Sequence, residues 1–210
     1  MRNLITIAFA ITFFVLTTSA SADSDSKSPK SAVKKLLGEI KQIVKKDNLS
    51  DAEKAENKKH SDIALSVLKV PEISQKALGK HWSKHNAEQQ QQFQTLLGNL
   101  FVHVAFPSSA KFFENLDIVY GKPKSKKDMM VVPLTVVHEK EGEVDIDFRM
   151  KQTEEGWQVV DVILDGVSMR NNLRSQFYKI LKKNDFEELV RRMGKKLKET
   201  DRLSILNLFK

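Results

Sequence analysis

The hydrophobic period of this chain changes twice, and those changes constrain its fold more than any motif does. Up to Pro107 apolar residues recur every three or four positions. From Leu116 to Asp165 they alternate, and beyond Gly166 the helical spacing returns. A chain in that order folds as an α+β domain, in which a curved antiparallel sheet of about four strands is covered on one side by helices. The remaining questions are where the elements begin and what the apolar faces enclose.

Val33, Leu36, Leu37, Ile40, Ile43 and Val44 form one face of a first helix, with lysines on the other face. Ser50 and Glu53 make a capping box for a second helix, which runs through Ile63, Leu65, Val67 and Leu68. Pro71 opens a third, with Ile73, Ala77 and Leu78 inward and Gly79 as its stop. Asn86 and Gln89 cap the strongest helix, whose stripe is Phe93, Leu96, Leu97, Leu100, Phe101 and Val104 and which is expected to end at Pro107. Four strands are expected over 116–120, 129–140, 144–153 and 157–165. The turns between them are short, so neighbouring strands pair antiparallel. In the third strand Val144, Ile146, Phe148 and Met150 face one way and Asp145, Asp147, Arg149 and Lys151 the other, which predicts one covered face and one wet face. Met130, Val132, Leu134 and Val136 share the covered side, and Pro133 signals an edge or bulge. A closing helix turns Val167, Leu173, Phe177, Ile180 and Leu181 inward, and Asp185 caps a last one carrying Phe186, Leu189, Val190 and Met193.

Residues 1–22 stand apart from this pattern. Arg2, an apolar run from Leu4 to Leu16 and the small residues Ala20-Ser21-Ala22 have the order of a secretory signal peptide, cleaved after Ala22. The run is shorter than the roughly 18–20 residues that span a bilayer. The expected organisation is therefore a signal peptide over 1–22, a flexible leader over 23–30, one α+β domain over 31–200 and a tail over 201–210. That tail carries Leu203, Ile205, Leu206, Leu208 and Phe209, which suit packing on the body, dimerising or docking. The chain has no cysteine, so thiol nucleophiles, cysteine-bound zinc and iron–sulfur clusters are excluded and apolar burial alone must hold the fold. With 35 Lys and Arg against 27 Asp and Glu, the chain suits an anionic membrane surface or an acidic protein. Export makes nucleic acid the poorest fit.

Catalytic signatures are sparse. Gly166-Val167-Ser168-Met169-Arg170 lacks the second glycine of a nucleophile elbow, and there is neither a phosphate-cradling glycine loop nor a His-Glu-x-x-His pair. His81 and His85 are four apart but have no nearby carboxylate, and read as surface histidines. Asp145 and Asp147 share their face with Arg149 and Lys151 and read as solvated charge. Asp161, among apolar neighbours from Val159 to Leu164, reads as a structural partner for a backbone group or a basic side chain. The alternative is an exported enzyme on a cone-shaped fold that uses Asp161 with a histidine for proton transfer on a small apolar substrate. No cofactor is called for. The apolar stripes are read equally well as a filled core or as the wall of a ligand cavity, because spacing does not register a void.

The run from Trp157 through Asp161 and Gly166-Val167-Ser168 to Met169, continued by Asn171-Asn172-Leu173-Arg174-Ser175-Gln176-Phe177, resembles the C-terminal signature of the MlaC family, also called toluene-tolerance auxiliary proteins. Ala77-Leu78-Gly79-Lys80-His81-Trp82, followed by Asn86 to Gln90 and Phe93, resembles the family's other landmark. The resemblance implies a nuclear transport factor 2-like sheet-and-helix fold with an added helical subdomain, no enzymatic activity, and a deep pocket for acyl chains with the head group near solvent. It further implies a periplasmic carrier that moves glycerophospholipid, or in one branch a hopanoid-type lipid, and so maintains outer-membrane lipid asymmetry. Its partners would be an outer-membrane lipoprotein complex and an inner-membrane ABC transporter with a substrate-capturing ring, with transient contact at membrane surfaces. The lysine-rich leader, the Lys-Pro turn at 122–127 and the tail depart from the family pattern and bear on docking more than on the lipid.

Each acyl methylene taken from water is worth about 0.8 kcal/mol, so a diacyl lipid resists leaving a membrane by roughly 20 kcal/mol. A soluble carrier must replace that burial and needs no nucleophile to do so. The expected lining combines Phe93, Leu97, Leu100 and Val104 of the long helix, Val132, Leu134, Val136, Ile146, Phe148 and Val160 of the strands, and Val167, Leu173 and Phe177 of the closing helix.

Overall fold

The computed structural model describes residues 27–46, 48–138 and 142–199. The expected signal peptide, residues 23–26 of the leader, and the 201–210 tail lie outside the described residues.

Helix α1 (Pro29–Lys41) starts where the Ser28 hydroxyl accepts from the Ser31 N–H, and it buries Val33, Leu36, Leu37 and Ile40. Because the helix stops at Lys41, Val44 leaves the expected stripe and is 44% exposed. Its backbone is held instead by Asn57, which accepts from the Val44 N–H at 2.9 Å and donates to the Val44 carbonyl at 2.7 Å. Both halves of the Ser50–Glu53 capping box are present at the start of α2 (Asp51–Ser66). Helix α3 (Val70–Leu78) has Pro71 in its first turn and stops at Gly79, whose φ is +51°. A short 3-10 turn (Gly79–Lys84) leads to α4 (Ala87–Leu100), opened by the Asn86–Gln89 box.

The long helix does not end at Pro107. It widens into a π turn at Phe101–Ala105, where the Phe106 N–H bonds the Phe101 carbonyl, and resumes as α5 (Phe106–Phe113). Pro107 falls in the first turn of α5 and, lacking an N–H, interrupts the helical bonding to the turn before it. Phe112 and Phe113 are therefore helical.

Among the described residues the sheet has six antiparallel strands, two more than expected. They are β1 (Ile118–Tyr120), β2 (Lys124–Lys126), β3 (Met129–His138), β4 (Gly142–Thr153), β5 (Gly156–Leu164) and β6 (Val167–Ser168). Their order is β1-β3-β4-β5-β6, with β2 also pairing with β3. The extra strands are two or three residues long, too short for alternation to reveal. Pro133 lies mid-strand rather than on an edge, and its carbonyl accepts from the Gly121 N–H at 2.8 Å. Its imide nitrogen faces that same side, so only the return bond to Gly121 is missing and the ladder to β4 is untouched.

On the inner face Val132, Leu134, Val136, Val144, Ile146, Phe148, Met150 and Val159 pack under α1 and α5. The outer face was expected to be wet, and at β1 and β3 it is: Val119 and Val137 are 66% and 64% exposed. Toward β5 it is covered, so helices lie on both sides of the sheet. A register shift at Arg149/Met150 sets Val159 opposite Met150 and Asp161 opposite Arg149, leaving Val160 as the extra residue of a bulge. That bulge turns Asp161 under the N-terminus of α6 (Met169–Leu181). Helix α7 (Phe186–Glu199) follows, with the Asp185 carboxylate accepting from the Glu188 N–H at 2.9 Å, and buries Phe186, Leu189 and Met193.

Candidate functional site

The expected lining residues sort into two apolar clusters rather than one wall. Val132, Leu134, Val136, Ile146 and Phe148 belong to the sheet cluster, with α1 and α5. Phe93, Leu97 and Phe177 belong to a helical cluster, with Leu78, Phe186 and Leu189, and Leu100 and Leu173 pack against it. Within the helical cluster Phe93 meets Phe177 edge-on with ring centroids 5.4 Å apart. Val104 and Val160 are buried, at 1% and 0% exposure, but belong to neither cluster. Val167 is not inward: Ser168 is the N-cap of α6, so the helix starts after Val167, which pairs with Leu164 in β6 and is 54% exposed.

The two clusters meet at Leu68 and Phe101, which pack against both. Leu68 sits where α2 gives way to α3, and the chain there is pinned to β5 by two backbone bonds. The Lys69 N–H donates to the Val159 carbonyl at 2.9 Å, and the Val159 N–H donates to the Val67 carbonyl at 2.8 Å. Phe101 opens the π turn. The seam between the clusters thus coincides with the two places where helical hydrogen bonding is interrupted, and such places yield first when packed layers separate. The sequence placed both on apolar helix faces but neither among the expected lining residues, because membership of two clusters has no periodic signature. Pro107 inside an unbroken apolar stripe was the available sign of an irregular helix.

Asp161 is 3% exposed and fully engaged. Its carboxylate accepts from the Ser168 hydroxyl at 2.8 Å and the Arg170 N–H at 3.1 Å. The Arg149 and Arg170 guanidinium groups lie 3.6 Å and 3.7 Å away. A carboxylate at a helix N-terminus between two cations locks α6 to β5. Among the described residues these partners include no histidine, so the geometry is that of a structural tie. Lys151 makes a second tie on the same face, to Glu72 of α3 at 2.8 Å and Asp128 at 3.4 Å, and the hydrogen bond to Glu72 raises its pKa.

The two histidines expected at the surface are half-buried against aromatic rings: His81 meets Tyr178 edge-on and His85 lies over Phe186, 4.1 Å between centroids. Burial, with Lys84, Lys80 and His85 nearby, lowers the His81 pKa. Among the described residues no group of three or more His, Asp or Glu is placed to hold a metal ion, and no described helix is long and apolar enough to cross a membrane. Two polar hollows open on the described surface. One, about 670 Å³, lies at the start of α7, between Lys182 and Arg191. The other, about 490 Å³, lies between Arg149 and the first turns of α6. Between sheet and helices, Leu68 and Phe101 pack against the apolar side chains of both clusters.

A search of curated proteins finds no match. Among solved structures, the chain is similar to a phospholipid-binding protein from Ralstonia solanacearum, solved in complex with a phospholipid. The TM-score is 0.67 at 22% identity, over 84% of this chain and 99% of that one. The likeness shows the fold: an open antiparallel sheet with helices on both sides. The profile of the family described as MlaC protein matches residues 34–195, spanning α1 through most of α7. The chain belongs to the MlaC family.

Proposed function

We propose that the protein is a periplasmic phospholipid carrier rather than an enzyme, exported by a signal peptide cleaved after Ala22, with residues 31–200 as its lipid-binding domain. The observation that carries this reading is the family match over 34–195, joined by a fold shared with a protein that binds phospholipid. The division of the apolar interior supports it: parting the sheet cluster from the helical cluster at Leu68 and Phe101 exposes two facing apolar walls to acyl chains. Chains seated between those walls regain the burial lost on leaving a bilayer, about 0.8 kcal/mol per methylene. Lipid would pass between an outer-membrane lipoprotein complex and an inner-membrane ABC transporter with a substrate-capturing ring, in keeping with outer-membrane lipid asymmetry. Asp161, held by Ser168, Arg170 and Arg149, fixes one wall and takes no part in chemistry.

The test is organic extraction of the purified protein followed by mass spectrometry, with native mass measurement of the intact complex. Glycerophospholipid in fixed ratio to protein is expected. Lipid no higher than on an unrelated exported protein purified alongside would overturn the reading, and a polycyclic lipid would redirect it to that cargo.

A further inference from the structure

One side chain inside the helical wall is polar and has nothing to bond. Ser74 lies on α3, whose buried residues are Ile73, Ser74, Ala77 and Leu78. Residues three and four apart on a helix share a face, so Ser74 stands beside Ala77 and Leu78, in the cluster that also holds Phe93, Leu97 and Phe177. It is 0% exposed, and its hydroxyl has no hydrogen-bond partner. Other helical serines of this chain turn their hydroxyls back on their own helix: Ser66 donates to the Ile63 carbonyl at 2.7 Å, and Ser175 to the Asn171 carbonyl at 3.0 Å. Ser74 does not. Two further buried polar atoms are unpaired, but Arg170 Nε belongs to a side chain whose other nitrogens reach the Val160 carbonyl and the Asp161 carboxylate, and His85 is partly exposed. Among the described residues, Ser74 alone combines complete burial with a side chain that has no partner at all.

An unpaired hydroxyl in an apolar wall is destabilising, and a native fold keeps one where it has a use. A trapped water needs two or more polar partners, and the other buried side chains of α3 are Ile73, Ala77 and Leu78. We propose that the Ser74 hydroxyl donates to the ester carbonyl of a bound acyl glycerolipid. Acyl chains carry no hydrogen-bonding group along their length. The first acceptor to follow them into an apolar interior is the carbonyl that joins chain to glycerol. A lone donor in the wall therefore recognises the linkage rather than the head group, and it fixes how deep the lipid seats. Helix α3 is placed for this role, because it begins two residues after Leu68, at the seam where the clusters meet. The inference deepens the carrier reading and rests on it, since it requires acyl chains to enter between the two walls.

The experiment is a competition. The exported, purified protein is incubated with vesicles holding equal amounts of diester and diether phosphatidylethanolamine of matched chain length, then recovered and extracted, and the two lipids are quantified by mass spectrometry. The pair differs only at the carbonyl oxygens. Wild type is expected to carry the diester in about fivefold to tenfold excess, the range of one buried neutral hydrogen bond. Ser74→Ala should bring the ratio to within about twofold of equality. The same variant, freed of lipid, should melt no lower than lipid-free wild type, because it discards a hydroxyl that has no partner in the fold. Equal uptake of the two lipids by wild type, or a diester preference that survives Ser74→Ala, overturns the inference. So does a variant that melts well below wild type, which would show that the hydroxyl serves the fold rather than the cargo. Uptake of neither lipid by wild type is a distinct result: it would overturn the carrier reading itself, and this inference with it.

Discussion

At the scale of single residues, the structure depends on a few polar atoms held where water is excluded. Asp161 is one: Asp161→Asn leaves the Arg149 and Arg170 guanidinium groups without their anion, and losing one partner of such a buried group costs about 3 kcal/mol. Urea unfolding should show that loss, and Arg149→Gln should cost less in the Asp161→Asn background than alone, because the two share one interaction. Gly79 is another. A Cβ built on it runs into the Tyr178 hydroxyl, which accepts from the Lys80 N–H at 3.0 Å, and its φ of +51° is a conformation that L-residues resist. Gly79→Ala should therefore destabilise by about 1–3 kcal/mol in the same assay, and by less in a Tyr178→Phe background, where the colliding oxygen is gone. Both positions lie within the segments that carry the resemblance to the family, so part of that signature records packing requirements rather than contacts with lipid.

At the scale of elements, helix ends carry the pH response. Hydrogen bonds from Lys46 and from the backbone and hydroxyl of Ser50 lower the Glu53 pKa from 4.5 to about 2, and bonds from Arg191 and Arg192 do the same for Glu188. A carboxylate whose folded pKa lies below its unfolded one stabilises the fold fully above the unfolded value, and that stability disappears as pH falls through the folded value. The thermal midpoint should accordingly fall between pH 4.5 and about 2, and Glu53→Gln with Glu188→Gln should flatten that limb. The π turn makes a different demand. Deleting the exposed His103 would remove the one extra residue that the π turn accommodates, so that α4 and α5 keep their phase and join as a regular α-helix. That deletion should still give a folded protein, and His103→Ala should stay within about 0.5 kcal/mol of wild type by thermal melting. Deleting the exposed Thr95, inside the regular helix, would instead rotate one part of α4 by about 100° against the other and should prevent stable folding.

At the scale of the whole molecule, two apolar layers meet along a narrow seam, and cargo that binds only the folded protein must stabilise it by mass action. Delipidated protein should melt below loaded protein, by an amount equivalent to about 2.7 kcal/mol when lipid stands at one hundred times its dissociation constant. Calorimetry before and after lipid removal measures this, and identical melting curves would argue against cargo in the interior.

Much of this architecture was legible in the sequence. The capping boxes at Ser50 and Asn86, the stop at Gly79, the cap at Asp185 and the alternation from Val144 to Met150 all appear where local chemistry placed them. Each depends on residues within a turn or a strand of one another, so spacing alone carries the information. The signals failed where the outcome depends on how one element joins the next. The π turn carries the long helix past Pro107, Val167 faces out because Ser168 caps the helix behind it, and the outer face near β5 is covered because a bulge aims Asp161 at α6. The sequence by itself determined the longer helices, four of the strands and most of the residues that are buried, since these follow from periodicity and from the cost of exposing carbon to water. Only the tertiary structure decided that the buried residues form two clusters joined at Leu68 and Phe101, because which faces meet depends on contacts between residues far apart in the chain.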